Sequence, residues 1–194
     1  MAISTAQVKE LRDRTGVSIM QCHKALDEAD GDMGKAIILL KKRGAEAVAK
    51  KLDRSLGAGV VSSYIHGAQV GAMIVLSCET DFVSKNEEFV NLAYLIAQQV
   101  AATNPTFIRV EEIDAASKRK AREAFLPELK GKPEAMHKKI LEGKLTSYFK
   151  DQVLLEQDYI RDPNTTIKGL IEAAVQKFGE RIEVSKIARF SVRS

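Results

Sequence analysis

The chain has 194 residues, of which 45% are hydrophobic and 29% charged, and its formal net charge is +4. This composition is typical of a soluble protein with one compact domain and an appendage, or with two small domains. No stretch approaches the roughly 18 uninterrupted apolar residues that a membrane-spanning helix requires. The first residues contain no apolar signal segment, so we expect a cytoplasmic protein. Cys22 and Cys78 match neither a disulfide framework nor a zinc motif, and we expect buried, reduced thiols.

Residues 1–54 predict a bundle of three short amphipathic helices, followed by a charged linker helix over 45–55. Side chains that cap helices mark the three expected beginnings: Ser4, Ser18 and Asp32. Gln7 and Gln21 follow the two serines at the spacing of a capping box. Glycines mark the three expected ends: Gly16, Gly31 and Gly44.

The pattern then changes from helices to strands. Residues 59–65 and 70–78 predict a β-hairpin with its turn at 66–68. The second strand is apolar on both faces, which predicts a central strand in a sheet that is covered on both sides. A long helix follows, which we expect to begin at a Ser84 cap and to end before Pro105.

Residues 111–150 are dense in charge and predict an inserted, projecting helical hairpin with its bend at 131–133. Pro127 lies near the end of the first arm and is expected to end or kink that helix. Both arms are rich in basic residues. The hairpin is therefore either a solvated pair of helices or, as an alternative function, a surface that binds RNA.

The last residues, 151–194, return to the core. They predict a strand at 152–155, a turn at 162–164, a helix at 166–178 and a final strand at 182–192. Neighbouring strands with segregated helices indicate an α+β fold, whose core consists of 55–110 and 151–194.

The sequence shows no convergent set of catalytic residues. Its three histidines lie in different modules, and it contains no phosphate-binding, dinucleotide-binding, nucleophile-elbow or metal-ligand motif. Catalysis by covalent or metal chemistry requires such converging groups. We therefore expect a protein that is not an enzyme, that needs no metal or cofactor, and that acts on another protein.

The segment Thr80-Asp81-Phe82-Val83 is unusual because it places a phenylalanine between a buried strand and a helix. Such connections normally hold small polar residues. Phe82 is therefore either packed inward, against Phe89, or displayed as an anchor for a partner. Asp81 has two interpretations as well, a polar partner contact or a local turn or cap hydrogen bond.

A second exposed feature is expected where the first two helices meet. Ile19 and Met20 open the second helix, and at least one of them must point away from its buried face. Arg12 lies near this point on the first helix. The three residues either pack between the helices or form a small docking tip.

Four motifs, in order along nearly the whole chain, resemble those of the bacterial translation elongation factor Ts family. They are residues 11–16 with 22–26, residues 78–83, residues 131–133 with 140–144, and residues 188–190. The resemblance implies a ubiquitin-associated-like three-helix domain, an antiparallel sheet core with helices on one face, and a projecting coiled-coil hairpin. It also implies an exchange factor that binds elongation factor Tu carrying GDP and promotes GDP release.

The resemblance further implies which residues make the contacts. Phe82, with Thr80, Asp81 and Val83 beside it, enters the partner's nucleotide domain near its Mg²⁺ site. The same domain is contacted by the N-terminal residues Arg12, Ile19 and Met20. The partner's distal domain is faced by Tyr64, Ile65 and His66.

The chain differs from the longer members of this family, which have a duplicated core. Short members work as homodimers, and we predict a homodimer through the core sheet because an exposed sheet edge or face promotes association. Two rival functions remain. An RNA-binding protein should show affinity that falls steeply with salt, and a ubiquitin-associated-type adaptor should bind a partner without affecting its nucleotide.

Overall fold

A computed structural model describes residues 3–129 and 133–193. The chain begins with a bundle of three helices: α1 (Thr5–Thr15), α2 (Ile19–Glu28) and α3 (Met33–Ala49). Each predicted cap accepts a hydrogen bond from a backbone N–H of the first turn. The apolar faces meet in one cluster, with these residues at its centre: Leu11, Cys22, Leu26 and Leu40. The three-helix bundle is confirmed, and its likeness to ubiquitin-associated domains stays a prediction.

Gly44 lies inside α3, so the prediction that it ends the helix is wrong. The helix continues to Ala49 and packs on α8 (Ile167–Phe178). A Cβ atom on Gly44 would stand 3.3 Å from the Cβ of Glu172 and 3.4 Å from its backbone oxygen. The glycine therefore permits a close approach of two helices, and this approach joins the bundle to the rest of the chain.

Gly44→Leu is expected to destabilise the protein by about 1–3 kcal/mol, the usual cost of overpacking a close contact. Gly143→Leu is the matched control, because a Cβ atom there would meet nothing within 4 Å although Gly143 also lies in a helix, α7 (Glu134–Gln152). The control should be stabilising by up to ~1 kcal/mol, since leucine has the higher helix propensity. Urea unfolding measures both changes, and equal effects at the two positions would contradict the close contact at Gly44.

Three antiparallel strands form the core sheet in the order β1-β2-β5: β1 (Ala58–His66), β2 (Val70–Cys78) and β5 (Glu183–Ser191). The predicted hairpin of β1 and β2 is confirmed. In its turn, Gly67 and Ala68 have φ angles of 54° and 56°. Positive φ at consecutive turn residues matches the right-handed twist of the two strands.

Helices cover one face of this sheet. α5 (Glu87–Thr103) lies on β1 and β2, and α8 completes the core. The strand β2 contributes every second residue to this core: Ala72, Ile74, Leu76 and Cys78. On the opposite face Met73 is 50% exposed. The α+β fold with helices on one face is confirmed, whereas the prediction that β2 is covered on both faces is wrong.

The cap of α5 differs from the predicted one. Asn86 accepts a hydrogen bond from the Glu88 N–H at 2.9 Å and caps the helix. Ser84 belongs instead to a separate short helix, α4 (Asp81–Ser84), where its hydroxyl donates to the backbone oxygen of Asp81 at 3.0 Å. Its side chain is therefore not free to cap α5. The other end agrees with the prediction, because Asn104 ends α5 with a φ angle of 51°.

A helical hairpin consists of α6 (Ala115–Phe125) and α7. Pro127 lies in a 3-10 turn after α6, so the first helix ends before the proline. The arms meet at an edge-on contact of Phe125 with Tyr148, whose ring centroids are 5.7 Å apart. Of the predicted bend, Gly131 and Lys132 lie outside the described residues. Neither α7 nor another helix in the described ranges is long and apolar enough to cross a membrane.

The segment between α7 and α8 differs from the sequence prediction. The strand predicted at 152–155 is wrong, because α7 runs to its end at Gln152 and Val153 forms a single bridge with Phe107. The turn predicted at 162–164 is also wrong, since these residues belong to a strand. That strand and its partner form a small hairpin: β3 (Asp158–Tyr159) and β4 (Asp162–Thr166).

Candidate functional site

The short helix α4 follows β2 after two residues and carries Phe82. The Ser84 N–H donates to the carbonyl oxygen of Thr80 at 3.2 Å. The thiol of Cys78 donates to the same oxygen at 3.2 Å. The segment that resembles the second family motif is therefore an ordered helical turn, fixed directly to the end of the central strand.

The helical turn separates its side chains into two groups. Val83 and Ser84 are buried, whereas Thr80 and Asp81 are exposed and Phe82 is 83% exposed. The alternative that Phe82 packs against Phe89 is wrong. Phe89 is fully buried, and its ring lies edge-on to the ring of Phe178, with 6.1 Å between centroids. A displayed aromatic ring on a buried base has the features of an interface anchor.

Asp81 lies beside this ring and forms an ion pair with Lys85 at 2.6 Å, one helical turn away. The hydrogen bond from Lys85, together with its charge, lowers the pKa of Asp81. The Asp81 carboxylate therefore stays ionised at a lower pH than an ordinary aspartate does. A displayed apolar ring with an adjoining charged pair can contact both an apolar pocket and polar groups at its rim.

Two acidic residues that the sequence analysis did not single out lie beneath the turn. Glu79 is half-buried and accepts hydrogen bonds from the Arg181 N–H at 2.5 Å and from the Arg54 guanidinium at 3.2 Å. Glu180 accepts hydrogen bonds from residues on the approach to α4. Nothing local in the sequence signals either role, because Arg54 is 25 residues from Glu79 and the other partners are about 100 residues away.

The N-terminal feature is a small exposed tip. Gly16 ends α1 with a φ angle of 68°, and Val17 is buried between the helices. The next residues begin α2 and point outward, with Ile19 56% and Met20 83% exposed. These two residues therefore do not pack between α1 and α2. Arg12 is exposed in the last turn of α1.

Lys177 on α8 pairs with a residue beside the corner that carries Phe82. Burial lowers the pKa of Lys177 on α8, and the positive charge of Arg12 lowers it further. The Lys177 ammonium in turn pairs with Glu88 in the first turn of α5. The ion pair therefore joins α8 to the corner formed by α4 and α5.

The predicted contact residues at the end of β1 divide between two faces of the sheet. The Tyr64 ring packs edge-on against Tyr94 of α5, with 5.8 Å between centroids. Its hydroxyl lies 3.0 Å from Nδ1 of the exposed His66, within hydrogen-bond distance. Ile65 is exposed on the opposite face. Tyr64 and His66 thus form one corner, and Ile65 belongs to another surface.

That other surface is the face of the core sheet that no helix covers within the described part of the chain. It displays apolar side chains from all three strands, and we call it the open sheet face: Val61, Ile65, Met73 and Phe190. The register places Val61 opposite Val75 and Gly71 opposite Phe190. Contiguous exposed apolar side chains on one sheet face mark an interaction surface.

The basic residues of the hairpin are exposed on both arms. On α6 they include Lys118, Arg119, Lys120 and Arg122, and on α7 they include Lys138 and Lys139. The predicted members Lys130 and Lys132 lie outside the described residues. Exposure is required both by a solvated pair of helices and by an RNA-binding surface.

Both cysteines are free and buried, as predicted. Burial raises the pKa of each thiol, and the negative charge of Glu180 raises that of Cys78 further. Over residues 3–129 and 133–193, no group of three or more His, Cys, Asp or Glu side chains is placed to hold a metal ion. The thiols are therefore parts of the core.

We expect both thiols to react with an aromatic disulfide reagent at pH 7.5 at least about tenfold more slowly than a free thiol of ordinary pKa, ~8.5. The reason is that a raised pKa leaves little thiolate, the reactive form. The colour released by the reagent, followed in native protein and in urea, measures the rates. Rapid reaction of one thiol in the native protein would contradict the burial.

Comparison with known proteins gives consistent matches. A family model described as Elongation factor TS matches residues 40–194. A relative named Elongation factor Ts from Thermodesulfovibrio yellowstonii is 45% identical over 193 residues, covering 99% of this chain and 97% of the relative. One of the same name from Herpetosiphon aurantiacus is 43% identical over 197 residues, covering 100% of both chains. A third, from Thermotoga maritima, is 42% identical over 193 residues, with 99% and 97% covered.

Proposed function

Because the chain belongs to the elongation factor Ts family, a family of translation elongation factors, we propose that it is the guanine nucleotide exchange factor for elongation factor Tu. In this proposal it binds the GDP form in the cytoplasm and promotes GDP release. The observation that carries the proposal is the 83% exposure of Phe82 on a turn whose other side is buried. Exchange breaks no covalent bond, so the proposal needs no catalytic residue.

The proposed mechanism uses Phe82 as a wedge. GDP on such a partner is held largely by Mg²⁺ and by backbone amides around its phosphates. A rigid aromatic ring inserted near this site disturbs both sets of contacts and favours the nucleotide-free shape. Val83 holds the turn in the core, while Thr80 and Asp81 border the ring. The coupling is reciprocal, so the factor binds the empty partner more tightly by the same ratio as it weakens GDP binding.

Two further contacts belong to the proposal. Arg12, Ile19 and Met20 contact the same nucleotide domain as Phe82, which is supported by their exposure on one tip. Tyr64 and His66, which share one corner of the sheet, face the distal domain of the partner together with Ile65. Because Ile65 also lies on the open sheet face, it is placed beside any second chain that covers this face.

We propose that the open sheet face is covered by a second copy of the chain. An apolar face on the core sheet costs free energy when it contacts water, and a two-fold dimer covers it on both copies at once. We also propose three domains: 1–54, 55–110 with 151–194, and 111–150. The separate hydrophobic cluster of the bundle supports the first domain, although Ala47 and Val48 at the end of α3 pack against the cluster around the sheet.

The test is the release of fluorescent GDP from the cognate elongation factor Tu. We expect the release rate to rise with the concentration of the factor and then to saturate. A rate equal to that of buffer at every concentration would show that the chain is not an exchange factor. An adaptor would bind the partner without changing the rate. RNA binding that weakens steeply between low and high salt would instead support the RNA-binding alternative.

A further inference from the structure

We propose that Glu180 is a positioning residue for exchange, which holds Phe82 in its working orientation through the backbone in front of α4. This inference rests on the proposed function. The carboxylate of Glu180 accepts three hydrogen bonds from two consecutive residues. They come from the Glu79 N–H at 3.1 Å, the Thr80 N–H at 3.0 Å and the Thr80 hydroxyl at 2.5 Å.

The hydrogen bonds run in both directions between two short segments. Gly179 ends α8 with a φ angle of 74°, and Glu180 follows directly. While Glu180 accepts from residues 79 and 80, the next residue, Arg181, donates its N–H to the Glu79 carboxylate at 2.5 Å. The Arg181 guanidinium also donates to the backbone oxygen of Arg54 at 2.6 Å. Residues 79–80 and 180–181 thus hold each other, although they are about 100 residues apart.

The helix α4 depends on such external support. It has four residues, and one helical turn is not stable by itself. Thr80 occupies its N-cap position but makes no side-chain cap hydrogen bond to the helix. Its hydroxyl donates to Glu180 instead. The direction in which α4 leaves the sheet is therefore set by Glu180 together with the Cys78 thiol, which donates to the Thr80 carbonyl oxygen. Phe82 lies two residues beyond the held segment.

The functional consequence follows from the short stretch of chain between Phe82 and the segment that Glu180 holds. Val83 holds the far end of the turn in the core, and Glu180 holds the near end. Loss of one support allows the exposed ring to sample other directions. Displacement of a working group by about 1 Å can cost up to ~100-fold in rate. Glu180 therefore acts on the rate of exchange without touching the partner's nucleotide.

The experiment compares Glu180→Ala with Glu180→Gln. Alanine removes both carboxylate oxygens and so all three hydrogen bonds, whereas the glutamine oxygen can accept from both N–H groups and its amide can donate to the Thr80 hydroxyl. At saturating concentrations of the factor, we expect Glu180→Ala to lower the maximal rate of GDP release about tenfold. This loss is within the range of rate losses caused by a misplaced working group. The half-saturating concentration should change little, since the N-terminal tip is intact. Glu180→Gln should keep most of the wild-type rate.

Two further measurements separate positioning from general stability. In a double-mutant cycle, Glu180→Ala should have no further effect in a Phe82→Ala background, because its effect acts through that ring. The chain lacks tryptophan, so Phe82→Trp supplies a single reporter. Its fluorescence anisotropy should fall when Glu180→Ala is added. Glu128→Gln, which loses an ion pair with Lys144 in the hairpin, is the control and should behave as wild type in these assays.

The outcomes are distinct. If wild type does not accelerate release, the proposed function and the role of Glu180 both fall. If wild type is active, the role of Glu180 alone is overturned by any of three results. These are a wild-type maximal rate in Glu180→Ala, independent effects of the two alanine substitutions, or equal losses in the alanine and glutamine variants. The last result would assign the effect to charge rather than to the hydrogen bonds.

Discussion

Phe82→Ala is expected to lower the stimulation of GDP release by roughly 30-fold or more, because truncation of an interface anchor costs about 2 kcal/mol or more. The substitution removes the ring and leaves the buried part of α4 in place. Since Phe82 is 83% exposed, the free energy of unfolding should change by less than about 0.5 kcal/mol. The measurements are the release of fluorescent GDP and urea unfolding of the same preparation.

Val110→Ala is the control for this loss, since Val110 is also an exposed apolar residue but lies outside the proposed contacts. It should release GDP as fast as wild type. Wild-type activity in Phe82→Ala would remove the wedge from the mechanism while leaving the exchange function in place. A loss of activity together with a large loss of stability would show that the ring supports the fold, contrary to its exposure.

Met73→Asp is expected to convert a dimer into a monomer, so that the mass measured by light scattering falls to that of one chain, 21.4 kDa. Met73 lies on the central strand, in the register between Ser63 of β1 and Ala188 of β5, and thus in the middle of the open sheet face. A carboxylate there is desolvated in the dimer without a partner, and an unpaired buried charge is strongly unfavourable.

Ile38→Asp is the matched control, because Ile38 is also apolar and exposed but lies on α3 in the bundle. This variant should keep the dimer mass, and circular dichroism should show the same secondary structure for both variants. A wild-type mass of one chain at working concentration would exclude the dimer. Retention of the dimer in Met73→Asp would place the contact on a different surface.

A feature of the fold could be predicted from the sequence where the interactions that determine it are between neighbouring residues. The caps at Ser4, Ser18 and Asp32 were predicted correctly because each involves neighbouring residues. Gly44 was misinterpreted because the reason for a glycine there is Glu172, which is distant in the chain. The cap at Ser84 was wrong for a related reason, since the serine hydroxyl already bonds within α4.

The candidate site was predictable to a similar degree. Spacing alone left Phe82 either buried or displayed, and only the family resemblance favoured display, which the structure shows. The support by Glu180 was not predictable, because a glutamate after a helix-ending glycine has no pattern that points to residues 79 and 80. The prediction that β2 is covered on both faces is wrong because an apolar face looks the same in the sequence whether a helix or a second chain covers it.

The close contact of α3 and α8 at Gly44 has a consequence for how the N-terminal tip and Phe82 act together in the proposed mechanism. The contact holds the bundle, which carries Met20, against α8 of the core before any partner binds. Docking of the tip would then present Phe82 at a high effective concentration, with little orientational entropy left to lose. In this proposal, the absence of a side chain at position 44 helps to couple the two contacts.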